Sequence, residues 1–140
     1  MSHRFTKAEK WRENKWFKDL EAHAKLLWFY LQDNCNIAGI WQIDIPQAAH
    51  DLRLNEELVW QAFKEIEECY VSNADYLMLV DFIHDQNNFP LNPKNPVHRG
   101  IATKLEEHKD LYVQAYERWR NRGYIEIKLF DNVQEGPLED

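Results

Sequence analysis

Glycine is scarce in this chain: four residues in 140, where average usage would supply about ten. That shortage disfavours glycine-rich turns and barrels and tilts the fold toward helices. It also leaves no glycine-rich loop to cradle a phosphate, because the four glycines are scattered. Cysteine is limited to Cys35 and Cys69, with no Cys-x-x-Cys pair. A disulfide framework is therefore not expected, and a core of this size does not need one. The two read as reduced core thiols of a cytoplasmic protein. No apolar run approaches the roughly 18 residues that span a bilayer, and no basic and apolar leader opens the chain. His23, His50, His84, His98 and His108 form neither a His-x-x-x-His nor a His-Glu-x-x-His pair. His84 and Asp85 beside Asp81 come nearest to a metal site, but lack a second cluster. Ser72 has no neighbouring base. The chain is thus expected not to be an enzyme and to hold no cofactor or metal; a metal-dependent enzyme remains the remote alternative.

Apolar side chains are plentiful instead, at 44% of residues, and include six Trp, six Tyr and seven Phe. Charged residues make up 29%, and mean hydropathy is −0.69. Apolar and polar groups therefore interleave, as in a single globular domain of 16.9 kDa. Seventeen basic residues face 24 acidic ones, a net charge of −7. That sign disfavours a generic polyanion binder.

Residues 1–19 read as a basic arm anchored by Trp11, Trp16 and Phe17. Asp19 is expected to cap a helix from Leu20, because Trp16, Leu20, Ala24, Leu27 and Leu31 fall on one helical stripe. The helix should end near Asn34 to Asn36. Ile40 to Ile45 is rich in β-formers and reads as a short strand. Pro46 suits the first position of a second helix ending near Leu52. After an Arg53-Leu54 step, Asn55 should cap a third helix running to about Glu68, burying Leu58, Val59, Ala62, Phe63 and Ile66. Cys69 to Ser72 and Tyr76 to Ile83 then form a hairpin around Asn73-Ala74-Asp75.

Helix, strand, helix, tight turn, helix, hairpin is the order of a winged helix-turn-helix, here residues 20–84. Residues 85–130 read as an extension. A polar, proline-rich connector leads to a helix from Asn95-Pro96 with Val97, Ile101 and Leu105 on one face. A further helix, Leu111 to about Arg122, is stopped by Gly123. The strictly alternating run Tyr124 to Phe130 predicts a strand, and residues 131–140 an acidic, mobile tail. The fold class expected is mainly α with a small β component (α+β).

The run KWRENKWFKDLEAHAKLLWFYLQDNCNIAGIWQIDI resembles the N-terminal winged-helix domain of phage replication-organiser and DnaD-like primosomal proteins. It shares an arm of the form W-x-x-x-x-W-F, a leucine-rich helix, an asparagine turn and a Gly-Ile-Trp strand. The later DFIHDQNNFPLNPKNPVHRGIATKLEEH resembles the same family's segment after the wing. The resemblance implies a replication accessory that works beside a helicase or its loader. Arg53 stands where such proteins often carry glycine. The second, C-terminal domain common in the family is not covered.

In this architecture the third helix would enter a major groove. Outside its buried stripe it presents Glu57, Trp60, Gln61, Lys64, Glu67 and Glu68. From Cys35 to Tyr70, two basic residues face seven acidic ones. Phosphate contact needs cations, so the candidates for DNA contact there are few: Arg53, Asn55, Gln61 and Lys64. Positive charge gathers in the first 34 residues, seven basic against five acidic, and in Arg118, Arg120 and Arg122. Those arginines alternate with aromatics, which suits single-stranded nucleic acid; the alternative is a solvated helix face paired with nearby carboxylates. Trp60, ringed by Glu and Gln, reads as an interface anchor, unless the arm or the last helices cover it. Trp11, Trp16, Phe17, Tyr124, Ile125, Ile127 and Leu129 complete the candidates for self-association or partner contact, as a homodimer or larger. The runner-up function is a sequence-specific transcriptional regulator.

Overall fold

A computed structural model describes residues 4–124. The arm holds two single-turn helices, α1 (Glu9–Arg12) and α2 (Lys15–Lys18). Then come α3 (Ala22–Asn34), β1 (Ile40–Gln42), α4 (Ile45–Leu52), α5 (Glu56–Glu65), a 3-10 turn (Glu67–Cys69), β2 (Tyr70–Ser72) and β3 (Tyr76–Leu79). A short α6 (Phe82–Asp85) and the longer α7 (Pro96–Glu107) and α8 (Lys109–Asn121) follow. The described residues are mainly helical with one small antiparallel sheet, in which β3 lies between β1 and β2.

Both faces of that sheet are buried, and the register explains how. Trp41 pairs with Leu77, which pairs with Ser72 on the other side. This row belongs to the face that packs on α2, α3, α4 and α5, through Phe17, Leu27, Leu31, Ala48, Val59 and Phe63. Ile40, Met78 and Val71 form the adjacent cross-strand row. Because strand side chains alternate between faces, that row points to the opposite side. There it meets Ile101, Leu105, Leu111, Tyr112, Ala115 and Trp119 of α7 and α8. Two cores share one thin sheet.

Several boundaries differ from the sequence expectation. α3 starts at Ala22 rather than Leu20, because Asp19 ends α2: its N–H bonds to the Lys15 carbonyl and its carboxylate pairs with Lys15 at 2.7 Å. β1 stops at Gln42, since Asp44 caps α4 by accepting the Gln47 N–H (3.1 Å) and Ile45 already belongs to that helix. Pro46 is accordingly its second residue. α5 ends at Glu65, where Ile66 leaves helical geometry and the 3-10 turn begins. Leu58 is only half-buried. β3 ends at Leu79, and Phe82 and Ile83 form α6 instead of prolonging the strand. Gly39 shows why glycine is required there: at φ +83, a Cβ would lie 2.8 Å from Phe82 Cβ. In α7 the buried residue near the start is His98, not Val97, which is 50% exposed. His98 Nδ1 accepts the Asn92 N–H (2.9 Å) and its Nε2 meets Asn88 (3.1 Å). Burial holds its pKa below the usual histidine value.

The step from α4 to α5 is made by Arg53 in the left-handed region, at φ 59 and ψ 41. Its N–H and that of Leu54 close onto the last carbonyls of α4. A Cβ is disfavoured in that conformation. Arg53→Gly is therefore expected to raise stability by about 0.5–1 kcal/mol, read as a higher urea midpoint at an unchanged m-value.

Candidate functional site

α5 is positioned by its cap and its stripe. Asn55 accepts the Leu58 N–H at 2.8 Å, and Val59, Ala62 and Phe63 turn inward. What remains outside is Glu56, Glu57, Trp60, Gln61, Lys64, Glu67 and Glu68, all exposed. Trp60 is 58% exposed, and its ring leans on Phe63 at 6.3 Å. Beside it lies an apolar groove of about 90 Å³ where α5 leaves the sheet, lined by Ile43, Ile45, Phe63, Tyr70 and Leu77. Ile43, Tyr70 and the groove itself escaped the sequence reading, because residues from a loop, a strand and a helix meet only in the folded chain.

Neither the arm nor the last helices cover Trp60. The arm lies on α3: Trp11 stacks on Phe29 at 6.2 Å, and Phe17 sits edge-on to Trp28 at 5.4 Å. Phe17 is fully buried, so it is a core residue and not an association residue. Trp16 is half-buried against the same core. Trp11 stays 50% exposed, with Lys25 Nζ 5.3 Å from its ring centre. Lys25 was missed because only packing brings it beside the arm. Tyr124 is also engaged within its own chain, donating its hydroxyl to Asp81 (2.8 Å) and stacking on His84 at 4.4 Å. Ile125, Ile127 and Leu129 lie outside the described residues, as do the rest of the expected terminal strand and residues 131–140.

The candidate DNA-contact residues are dispersed. Gln61 and Lys64 share the open face of α5, Arg53 stands at the corner before it, and the Asn55 oxygen is occupied by its capping bond. The hairpin tip adds no cation. Asn73 folds it by accepting the N–H groups of Asp75 and Tyr76 and by donating to Asp110.

Arg118 to Arg122 is not a stacking platform. Trp119 is fully buried, its indole N–H donating to the Val80 carbonyl. Arg118 and Arg122 both donate to the Glu68 carbonyl (2.9 and 3.1 Å), and Arg122 pairs with Asp81 at 2.9 Å. They fasten α8 to the turn that follows α5. Arg120 faces solvent, 3.6 Å from Glu117. The alternation of arginine and aromatic in sequence becomes separation by face on a helix.

Burial pushes the Cys35 and Cys69 thiols up to about 12, against the opposing pull of Arg4 on the first and of Lys10 and Arg122 on the second. Neither is an activated nucleophile at neutral pH. Among the described residues, no three His, Cys, Asp or Glu side chains converge on a point that could hold a metal ion. No described helix is long and apolar enough to cross a membrane. Comparison with protein-family models, with curated proteins and with solved structures found no match for this chain.

Proposed function

We propose that residues 20–84 are a winged helix-turn-helix, and that the chain is a cytoplasmic accessory protein of DNA replication of the phage-organiser and DnaD-like type. α5 serves in it as a protein-docking helix. One observation carries this reading: the helix that would have to enter a DNA groove presents a 58% exposed tryptophan among carboxylates. Phosphate contact supplies most non-specific DNA affinity, and Lys64 is the one cation on α5. A large, rigid aromatic with an acidic rim suits a protein interface instead. The partners the resemblance suggests are a replicative helicase or its loader.

The test is direct binding to such a helicase and loader. Trp60→Ala should weaken the complex at least about tenfold, while Arg53→Glu leaves it unchanged. Equal binding by wild type and Trp60→Ala would end the proposal for α5. The second reading, a sequence-specific regulator, is favoured by exposed Arg53 at the start of α5 with Gln61 and Lys64 open beyond it. It requires duplex retardation at about 50 mM salt that falls steeply with added salt and is lost in Arg53→Glu.

A further inference from the structure

Residues 4–13 are held to the body of the molecule by polar contacts. None of their side chains is buried, and the first buried one in the arm is Phe17. Gln86 bonds both polar groups of the Phe5 backbone. Its Oε1 accepts the Phe5 N–H at 2.8 Å, and its Nε2 donates to the Phe5 carbonyl at 2.9 Å. Gln32 donates to the same carbonyl (2.8 Å) and to the Thr6 hydroxyl (3.2 Å). Both glutamines are buried, whereas Phe5 is mostly exposed, so the backbone is gripped and not the ring. Two cations pin the flanks. Arg4 donates to the Cys35 carbonyl at the end of α3 (2.7 Å), with its guanidinium 5.1 Å from the Phe82 ring centre, and Lys7 reaches Asp85 at 3.9 Å. Farther along, Lys10 lies over Trp28 at 4.8 Å, and Trp11 leans on Phe29 but stays half exposed.

We propose that residues 4–13 are a hinged lid, latched by Gln32 and Gln86 and turning at Asn14, over the cleft that holds Cys69. The cleft has a volume of about 130 Å³, with Lys10 and Asn14 on the arm side and Trp28, Cys69, Leu79 and Phe82 on the body side. Asn14 is extended between α1 and α2 (φ −89, ψ 95), and its side chain accepts the Phe17 N–H at 3.0 Å. The start of α2 is thereby fixed without help from α1, and fully buried Phe17 keeps α2 in place when the lid lifts. A segment with no buried apolar side chain forfeits little hydrophobic stabilisation on leaving. The glutamines it uncovers exchange their bonds for bonds to water, so each lost bond costs only its modest net value. Left dry and unpaired they would be costly, and an N–H and a C=O presented together are what Gln86 needs to be satisfied. The lid is therefore easy to lift and returns to one register, which places its opening well below global unfolding in free energy.

Labelling of the full chain with N-ethylmaleimide, read residue by residue by peptide mass, tests this with Cys69 as the reporter. Opening of the lid alone exposes little surface, so Cys69 should react at a rate nearly independent of urea below the unfolding transition. Gln86→Leu keeps the volume of the side chain but breaks both bonds to Phe5. Arg4→Ala/Lys7→Ala removes the two outer pins at positions that are not buried. Each variant should speed Cys69 labelling at least about tenfold, still with almost no dependence on urea. Ile101→Val is the control, because Ile101 is fully buried in the other core. It should lower the urea midpoint yet leave the Cys69 rate unchanged, since it weakens the fold without touching the latch. Three results would each overturn the proposal: wild-type labelling that climbs with urea as steeply as global unfolding, latch variants that label at the wild-type rate, or an Ile101→Val that speeds labelling as much as they do.

Discussion

Trp119→Ala is expected to be the most damaging single substitution among the described residues, at a cost of about 3–5 kcal/mol. The side chain is fully buried between α8 and the sheet, edge-on to Phe89 at 5.2 Å and near Tyr112 at 6.0 Å. Alanine would open a cavity there and leave the Val80 carbonyl without its indole donor. Native domains hold only about 5–15 kcal/mol in total, so the variant should sit close to the unfolding threshold. The check is urea denaturation, with a large drop in midpoint and little change in m. Trp119→Phe separates the two parts of the loss. It keeps most of the ring but not the N–H, and should cost about 1–3 kcal/mol. If Trp119 instead stacked on nucleic-acid bases, Trp119→Ala would leave stability within about 0.5 kcal/mol, as exposed positions do.

Phe17→Ala is expected to cost nearly as much, about 3–5 kcal/mol, although Phe17 belongs to a stretch that reads as a surface arm. Its ring is fully buried and meets Trp11, Trp28 and Phe29 at 5.2–5.9 Å, each nearly edge-on. Aromatic pairs in that geometry add to the area they bury. Losing Phe17 therefore both empties a core position and releases the arm from α3. Trp60→Ala is the contrast. Its side chain is mostly in water, so stability should change by less than about 0.5 kcal/mol while association falls. Parallel urea titrations of the two variants distinguish a core aromatic from a docking aromatic. Comparable losses in both would mean that Trp60 is held by the fold and is not available to a partner.

Much of the chain was legible one element at a time. The stripe Leu27, Leu31 marks α3, Asn55 marks the start of α5, Asn95-Pro96 marks α7, and Gly123 marks the end of α8. Each signal is local, resting on periodicity or a cap within a few residues. The ends were less legible, because neighbouring caps compete. Asp19 closes α2 rather than opening α3, and Asp44 claims Ile45 for α4. The open face of α5 followed from its stripe alone, since a helix that buries Val59, Ala62 and Phe63 must turn Trp60 outward.

Composition and spacing by themselves determined a helical chain with a small hairpin, and a helix α5 whose one cation is Lys64. Which tryptophans are free was decided only by the tertiary structure. Trp11 and Trp119 each sit between two cations in the chain, and Trp60 sits between Val59 and Gln61. Yet one is buried in the second core, one stacks half-covered on α3, and one stands open beside a groove. The charges divide in the same way, with Arg118 and Arg122 drawn to the Glu68 carbonyl while Arg12 and Lys18 stay in water. Exposure and pairing depend on what distant segments bring to the same place, and a linear pattern carries no record of those neighbours.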